Sequence, residues 1–485
     1  MILFAKEKRK SAMPSSYAID RCARNTAGKL NSLMGSRALL DLSMETGFVK
    51  RVRKFRAPAM TLVAMRTIIS AKTWSETTIW DEYIDAVREC GGERIEREVF
   101  HDHISKPAFA AFCHELYARL SREASLGELN QGAELVRAVS SKLPISDIVC
   151  IDGTETRAAP SLRALFKGKG EAGGSVKIHS MHSLRSCAEI QYSIGAGTSC
   201  ERTALLEMED LKGLLILADA GYFSAELCSE LDRRGAWYII KVPDSVSCKV
   251  IDFQKVGRTT PPSQVANARR IMEGSGLPDA RDLTARNCSY DLNASTAGGF
   301  EHREVLVRRQ DSDGRYGHGR FATNIPADVL DAFQISDTYR ARWQIEIQFK
   351  CFKSFSNLKT DKIVTSSIIE AFLDLARAAH AVKLLLGQAA QKLLGTALSQ
   401  QKVAERCNGK LAGILDAMIR GTGDLAGLIR DFLSDKALRL KKSSPSFINR
   451  KRGKSLLCVI RSMLGKCRTA AIHIPRLDSR PPDAG

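Results

Sequence analysis

Residues 145–154 read ISDIVCIDGT, and residues 214–221 read LLILADAG. Each is a short apolar run with an aspartate directly behind it, and a third run, WYIIKV at 237–242, follows a helical stretch opened by Ser224, a suitable N-cap. Strand, helix, strand with unbroken apolar runs describes a sheet buried on both faces, at least partly parallel, and covered by helices. Asp152 and Asp219 then stand where strands deliver side chains to the edge of a sheet. If the two strands are neighbours, their carboxylates converge at one end, where oxygen ligands hold hard divalent cations. Taken singly, an aspartate beside glycine is more often a turn residue.

A third stretch decides between these readings. Residues 338–354 read TYRARWQIEIQFKCFKS, in which Tyr339, Arg342, Glu346, Lys350 and Lys353 recur at three- and four-residue spacing. That spacing predicts one face of a single α-helix. Trp343, Ile345, Ile347, Phe349 and Phe352 border the stripe, so the helix is expected to pack into a core while a charged seam faces something buried and polar. A carboxylate among three cations and a phenol suits a site that handles a phosphodiester: Glu346 would join the aspartates on metal, and Tyr339, Arg342, Lys350 and Lys353 would hold phosphate oxygens.

Outward from these stretches the chain changes character several times. Residues 1–140 show helical periodicity. Within them 95–120 reads as two helices joined by a turn at 103–106, with Pro107 suited to a first turn, which fits a helix-turn-helix DNA reader and an ordinary helical hairpin equally. Residues 141–242 form the first part of the α/β core. Residues 243–330, rich in Gly, Asn, Ser and Arg, read as a β-rich insertion with strands near 304–308 and 319–323. Residues 331–400 return to the core, and 401–485 read as a helical C-terminal region with a basic tail.

The chain has 485 residues, 44% of them apolar, which excludes a disordered chain and leaves room for a large core. Its 13 cysteines are scattered singly, with neither zinc-ribbon spacing nor a redox pair, so they are expected to be free thiols in a reducing compartment. Residues 2–5 are too short an apolar run for a signal-peptide core, and the apolar stretch 368–386 carries Glu370, Asp374, Arg377 and Lys383, so it reads as a buried amphipathic helix and not a membrane span. A cytoplasmic, nucleoid-associated protein is expected. The net charge of +19 is terminal: residues 1–60 hold 13 Lys and Arg against 4 Asp and Glu, and residues 436–470 hold 11 against none. Basic ends on a balanced middle are the footprint of flanking elements that grip a polyanion.

The spacing of Tyr339, Arg342, Glu346 and Lys353 resembles the Y-R-E-K signature of the IS4 family of bacterial insertion-sequence transposases, and Asp152 and Asp219, in DGT and DAGY motifs, resemble the first two members of their DDE triad. The resemblance spans about 145–400. It implies an RNase H-like catalytic core interrupted by a β-rich insertion, dependence on Mg²⁺ or Mn²⁺, binding of terminal inverted repeats and target double-stranded DNA, and cut-and-paste strand transfer by a homodimer holding two DNA ends. A transposase-derived DNA-binding regulator and a metal-dependent nuclease without strand transfer are the alternatives. The resemblance also implies a hairpin intermediate with a flipped base stacked on an insertion aromatic. Here the sequence departs, because the tryptophans are Trp74, Trp80, Trp237 and Trp343, and stacking falls to Phe253, Tyr290, Phe300 or Tyr316.

Other residues read as structural. His179 and His182 are expected on opposite faces of a strand, His101 and His103 beside a turn, and Thr323-Asn324 in a turn that could touch DNA backbone. Arg303, Arg308, Arg309, Arg315 and Arg320 suit a DNA-facing surface.

Overall fold

Five strands make the part of the sheet that carries both aspartates: β1 (Asp147–Ala158), β2 (Gly174–Ser183), β3 (Glu189–Ala196), β4 (Leu214–Ala218) and β5 (Trp237–Lys241). The computed structural model describes residues 14–435, apart from 52, 71–73, 169–172, 256–278, 285–288, 311–315, 356–362, 364 and 422. The strands lie in the order β3-β2-β1-β4-β5, with β1, β4 and β5 parallel and β2 and β3 antiparallel. This is the RNase H-like mixed sheet. Alternation along the parallel strands serves two cores: Ile148, Cys150, Leu215, Leu217 and Ile239 feed one, and Val149, Ile151, Ile216, Ala218 and Ile240 the other. All five residues of β4 are buried, as an apolar run with no polar alternate requires.

The β-rich insertion is a continuation of the same sheet. Strands β6 (Cys248–Lys255), β7 (Tyr290–Thr296), β8 (Glu301–Gln310) and β9 (Tyr316–Thr323) form an antiparallel meander, and β9 pairs with the outer edge of β5. Thr323 and Asn324 make this join instead of a free turn. The Thr323 hydroxyl donates to the Tyr238 carbonyl at 2.7 Å, and the Asn324 amide donates to the Ala236 carbonyl at 2.9 Å while its oxygen accepts from Tyr238 N–H at 3.0 Å. The expected basic surface is also turned partly inward. Arg303 grips Asp291 with both ends of its fork, at 2.8 and 2.6 Å, and Arg320 is buried on Glu304, because a charge inside a small sheet core needs a partner. The side chains of Arg309, Arg315 and Tyr316 lie outside the described residues.

Helices come first and last. Before the sheet run α1 (Ser16–Met34), α2 (Ser36–Glu45), α3 (Ala57–Ser70), α4 (Glu76–Glu89), α5 (Arg97–Ile104), α6 (Pro107–Ser125) and α7 (Gly132–Ser140). Within it lie α8 (Glu201–Leu206), α9 (Ala225–Arg233) and α10 (Ala280–Thr284), and after it α11 (Ala332–Tyr339), α12 (Gln344–Phe355), α13 (Ser366–Leu394), α14 (Gln400–Arg420) and α15 (Leu425–Leu433). Between Ala371 and Gln388 helix α13 is buried around its whole circumference. α6 and α3 lie against it, and α1 packs on α15, so helices from both ends of the chain wrap one hydrophobic axis. The turn between α5 and α6 is only Ser105-Lys106, and both His101 and His103 belong to α5. His101 reaches Glu76 at 2.9 Å and His103 stacks on Phe55. Phe109, Phe112, Leu116, Tyr117 and Leu120 of α6 are buried, which makes this pair a helical hairpin built into the body. No described helix is long and apolar enough to cross a membrane.

Candidate active site

Parallel pairing of β1 and β4 ends at Ile151 opposite Ala218. The next residues are Asp152 and Asp219, which the register therefore sets side by side. Asp219 leaves the sheet as the cap of a 3₁₀ turn, Ala220–Tyr222, and accepts from the Ala220 N–H. Asp152, expected just behind its strand, lies inside it, because β1 runs on past β4 to Ala158 by pairing with β2. Its Oδ1 accepts from the Gly153 N–H at 2.8 Å.

The segment expected as one helix is broken. α11 ends at Tyr339, residues Arg340–Trp343 form a 3₁₀ turn, and α12 begins at Gln344. In a 3₁₀ turn residues three apart are eclipsed, so Tyr339 and Arg342 stay on one side despite the break. Arg342 donates from Nη1 to Asp152 Oδ2 at 3.2 Å and from Nη2 to Glu346 Oε1 at 3.0 Å. One guanidinium thus joins the first and third acids of the motif. Ile345, Phe349 and Phe352 are buried beneath them, while Lys350 and Lys353 stand exposed further along α12 and Trp343 is exposed beside Arg342. The Tyr339 ring packs on Phe321 at 4.6 Å, and burial pushes its hydroxyl well above the ordinary tyrosine range.

Glu201 and Lys177, which no sequence motif marks, and Tyr222 of DAGY complete the site. Glu201, the first residue of α8, receives Lys177 Nζ at 2.8 Å. A β-carbon at Gly221 would come within 3.1 Å of its carboxylate, and one at Gly153 within 2.7 Å of the Lys177 chain, so a larger residue at either place would push that side chain aside. Tyr222 is fully buried near the same acids, its hydroxyl without a hydrogen-bond partner. His179, across from Gly153, holds Ser199 at 2.9 Å, and burial lowers its pKa to about 4; His182 points the other way into the core. Nothing local marks Glu201, since only the fold brings α8 to the end of β1.

Burial pushes the Asp152 carboxyl above its ordinary value; the Gly153 N–H and Arg342 oppose this, and the charges of Glu201 and Asp219 add to it. Asp152 and Asp219, neighbouring oxygen donors partly open to solvent, suit a hard divalent cation, with Glu346 joined to Asp152 through Arg342.

The transposase DDE domain family matches residues 144–380. Those residues are a transposase DDE domain of the insertion-sequence type. The chain is 23% identical over 436 residues to the transposase for insertion sequence element IS231B of Bacillus thuringiensis subsp. berliner, covering 81% of this chain and 86% of that one. It is 24% identical to the transposase of IS231C from the same organism, over 65% and 70% of the two chains. A solved piggyBac transposase synaptic complex with hairpin DNA covers 88% of this chain and 86% of its own, at 11% identity and a TM-score of 0.39, too loose a likeness to add to the assignment. The transposase is accordingly an enzyme of DNA transposition, which cleaves and transfers DNA strands.

Proposed function

We propose that Asp152, Asp219 and Glu346 are the catalytic triad of this transposase and that Tyr339, Arg342, Lys350 and Lys353 position the phosphates of the strand being cut. The observation that carries this reading is the double clasp of Arg342 on Asp152 and Glu346, which gathers residues 190 positions apart in sequence around one open sheet end. Bound at these oxygens, Mg²⁺ or Mn²⁺ supplies charge neutralisation and activation of the attacking hydroxyl. The chain's own part is to hold Asp152 and Asp219 in register, to keep Glu346 within reach through Arg342, and to offer Arg342 itself to an incoming phosphate, where a planar fork binds two oxygens. Glu201 and Lys177 brace the glycines behind the aspartates.

The substrate is the terminal inverted repeats of the element, bound by a homodimer with one copy at each end, as the IS4 resemblance implies. The basic segments 1–60 and 436–470, the second of them outside the described residues, supply a non-specific grip on duplex DNA, and a nucleoid-associated location follows from that grip. Purified protein with its own element ends and Mg²⁺ is expected to nick or excise DNA. Glu346→Gln abolishes this and leaves DNA binding intact; unchanged cleavage by that variant removes Glu346 from the triad. Deleting residues 436–485 flattens a log-log salt dependence whose slope is about −0.9 for each phosphate neutralised, and an unaltered slope means that the tail does not touch phosphate.

A further inference from the structure

We propose that Cys248, His302 and Glu304 are three ligands of a zinc ion inside the β-rich insertion, apart from the catalytic carboxylates, with the fourth position left to a water. Cys248 opens β6, and His302 and Glu304, two apart on β8, leave the sheet on one face. All three are buried, and one donor atom from each lies within 4.8 Å of the others. His302 Nε2 and Glu304 Oε2 face each other at 3.4 Å, an ion-pair distance without hydrogen-bond alignment, and Nδ1 of the same ring has no hydrogen-bond partner. Dry, unpaired polar atoms are costly and uncommon in a native core. A cation held between Nε2 and Oε2 removes the penalty at those two atoms and leaves Nδ1 as it is.

The spacing fits that cation. Zinc binds nitrogen at about 2.0–2.1 Å and carboxylate oxygen at about 2.0–2.2 Å, so two tetrahedral ligands stand roughly 3.3–3.5 Å apart, as His302 and Glu304 do. A thiolate at about 2.3 Å needs its sulfur roughly 3.5 Å from each of them, which only a small closure of Cys248 provides. Thiolate, imidazole and carboxylate together select zinc over magnesium, which prefers oxygen alone. Arg320 completes the surroundings. Its Nε holds Glu304 Oε1 at 2.7 Å and leaves Oε2 to face His302, while its Nη1 reaches the Pro243 and Val246 carbonyls at 3.3 and 3.0 Å and holds the chain leading to Cys248 against β9. Outer hydrogen bonds of this kind orient ligand carboxylates.

Cys248 is buried beside Glu304. Binding releases the thiol proton to solvent, and thiolate and carboxylate then offset the charge of the dication. The consequence reaches the catalytic loop, because the His302 ring stacks on Phe300 at 5.5 Å and meets Phe223 at 5.6 Å, directly after the turn that Asp219 caps. A fixed His302 fixes that wall.

Full-length protein purified without chelators is expected to hold about one zinc per chain by elemental analysis, and X-ray absorption at the zinc edge to show one sulfur among nitrogen and oxygen neighbours. Cys248→Ser and His302→Phe, the second keeping a stacked ring, each lower the retained zinc at least about tenfold, while Asp152→Asn retains it. A wild-type protein without zinc, an absorption signature without sulfur, or retention by both ligand variants overturns the site. Should the variants fail to fold, the wild-type signature decides alone.

Discussion

Arg342 and Arg377 each join two carboxylates, Asp152 with Glu346 in one place and Glu189 with Asp374 in the other. The first arginine is 15% exposed, and its partners are 23% and 36% exposed; the second is 0% exposed, with partners at 1% and 4%. Arg377 of α13 also lies over the rings of Tyr192 and Tyr117, at 3.2 and 4.3 Å, and so pins α6 and β3 to α13. Identical chemistry therefore serves opposite ends. Where water reaches the pair, the guanidinium can leave its carboxylates for a phosphate at small cost; where it does not, removing one partner strands a bare charge in the core.

The sharpest way to break this contrast is to delete each arginine. Arg377→Ala is expected to remove about 3–5 kcal/mol of stability in urea unfolding, because Glu189 then stays buried and unpaired. A loss below about 1 kcal/mol is the exposed-pair value and erases the distinction. Next in size, Arg342→Ala should change stability by less than about 1 kcal/mol, while cleavage of element ends falls about 100- to 1,000-fold, the usual effect of losing one preorganised donor to a developing charge. Cleavage at the wild-type rate means that Arg342 never meets the phosphate.

The two clasps also differ in how far the sequence showed them. The parallel strands were legible because helices cover both faces, leaving apolar runs with no polar alternate. Of the Arg342 clasp only the grouping with Glu346 was legible from spacing, since a 3₁₀ turn and an α-helix both keep residues three or four apart together, although the continuous helix was not there and nothing local pointed Arg342 to Asp152. The Arg377 clasp was not. Glu370, Asp374, Arg377 and Lys383 read as the polar stripe of an amphipathic helix, yet three of the four are buried, and their cover comes partly from β3, 188 residues earlier at Glu189. β3 itself, EIQYSIGA, alternates polar and apolar residues and offered a period-two signal that was passed over. β6 and β7 were hidden by their polar residues, and no local pattern could link Cys248 to His302 or Glu201 to Asp152.

Smaller changes around Arg377 sharpen the comparison. Tyr192→Phe keeps the ring under the guanidinium and removes the hydroxyl that donates to Asp374 Oδ1 at 2.6 Å. A loss of about 1–2 kcal/mol is expected, as for one buried bond to a charged acceptor. A neutral outcome means that Arg377 alone satisfies Asp374.

The smallest effect is a pH dependence at the rim of the same cluster. His114 Nδ1 stands 2.8 Å from the Tyr192 hydroxyl and 3.6 Å from Asp374 Oδ2, and the Asp374 carboxylate raises its pKa above the ordinary histidine value. A folded-state pKa above the unfolded one means that the folded chain binds the proton more tightly. The stabilisation is therefore complete below about pH 6.5 and is lost as pH rises through the raised value. Because the histidine is 60% exposed, water screens it, and the change amounts to a few tenths of a kcal/mol. His114→Gln is expected to flatten the stability profile between about pH 6 and 8 without touching the much larger Arg377 contribution. A slope that survives the substitution belongs to a different titrating group, and Asp374 then keeps its charge through Arg377 and Tyr192 alone.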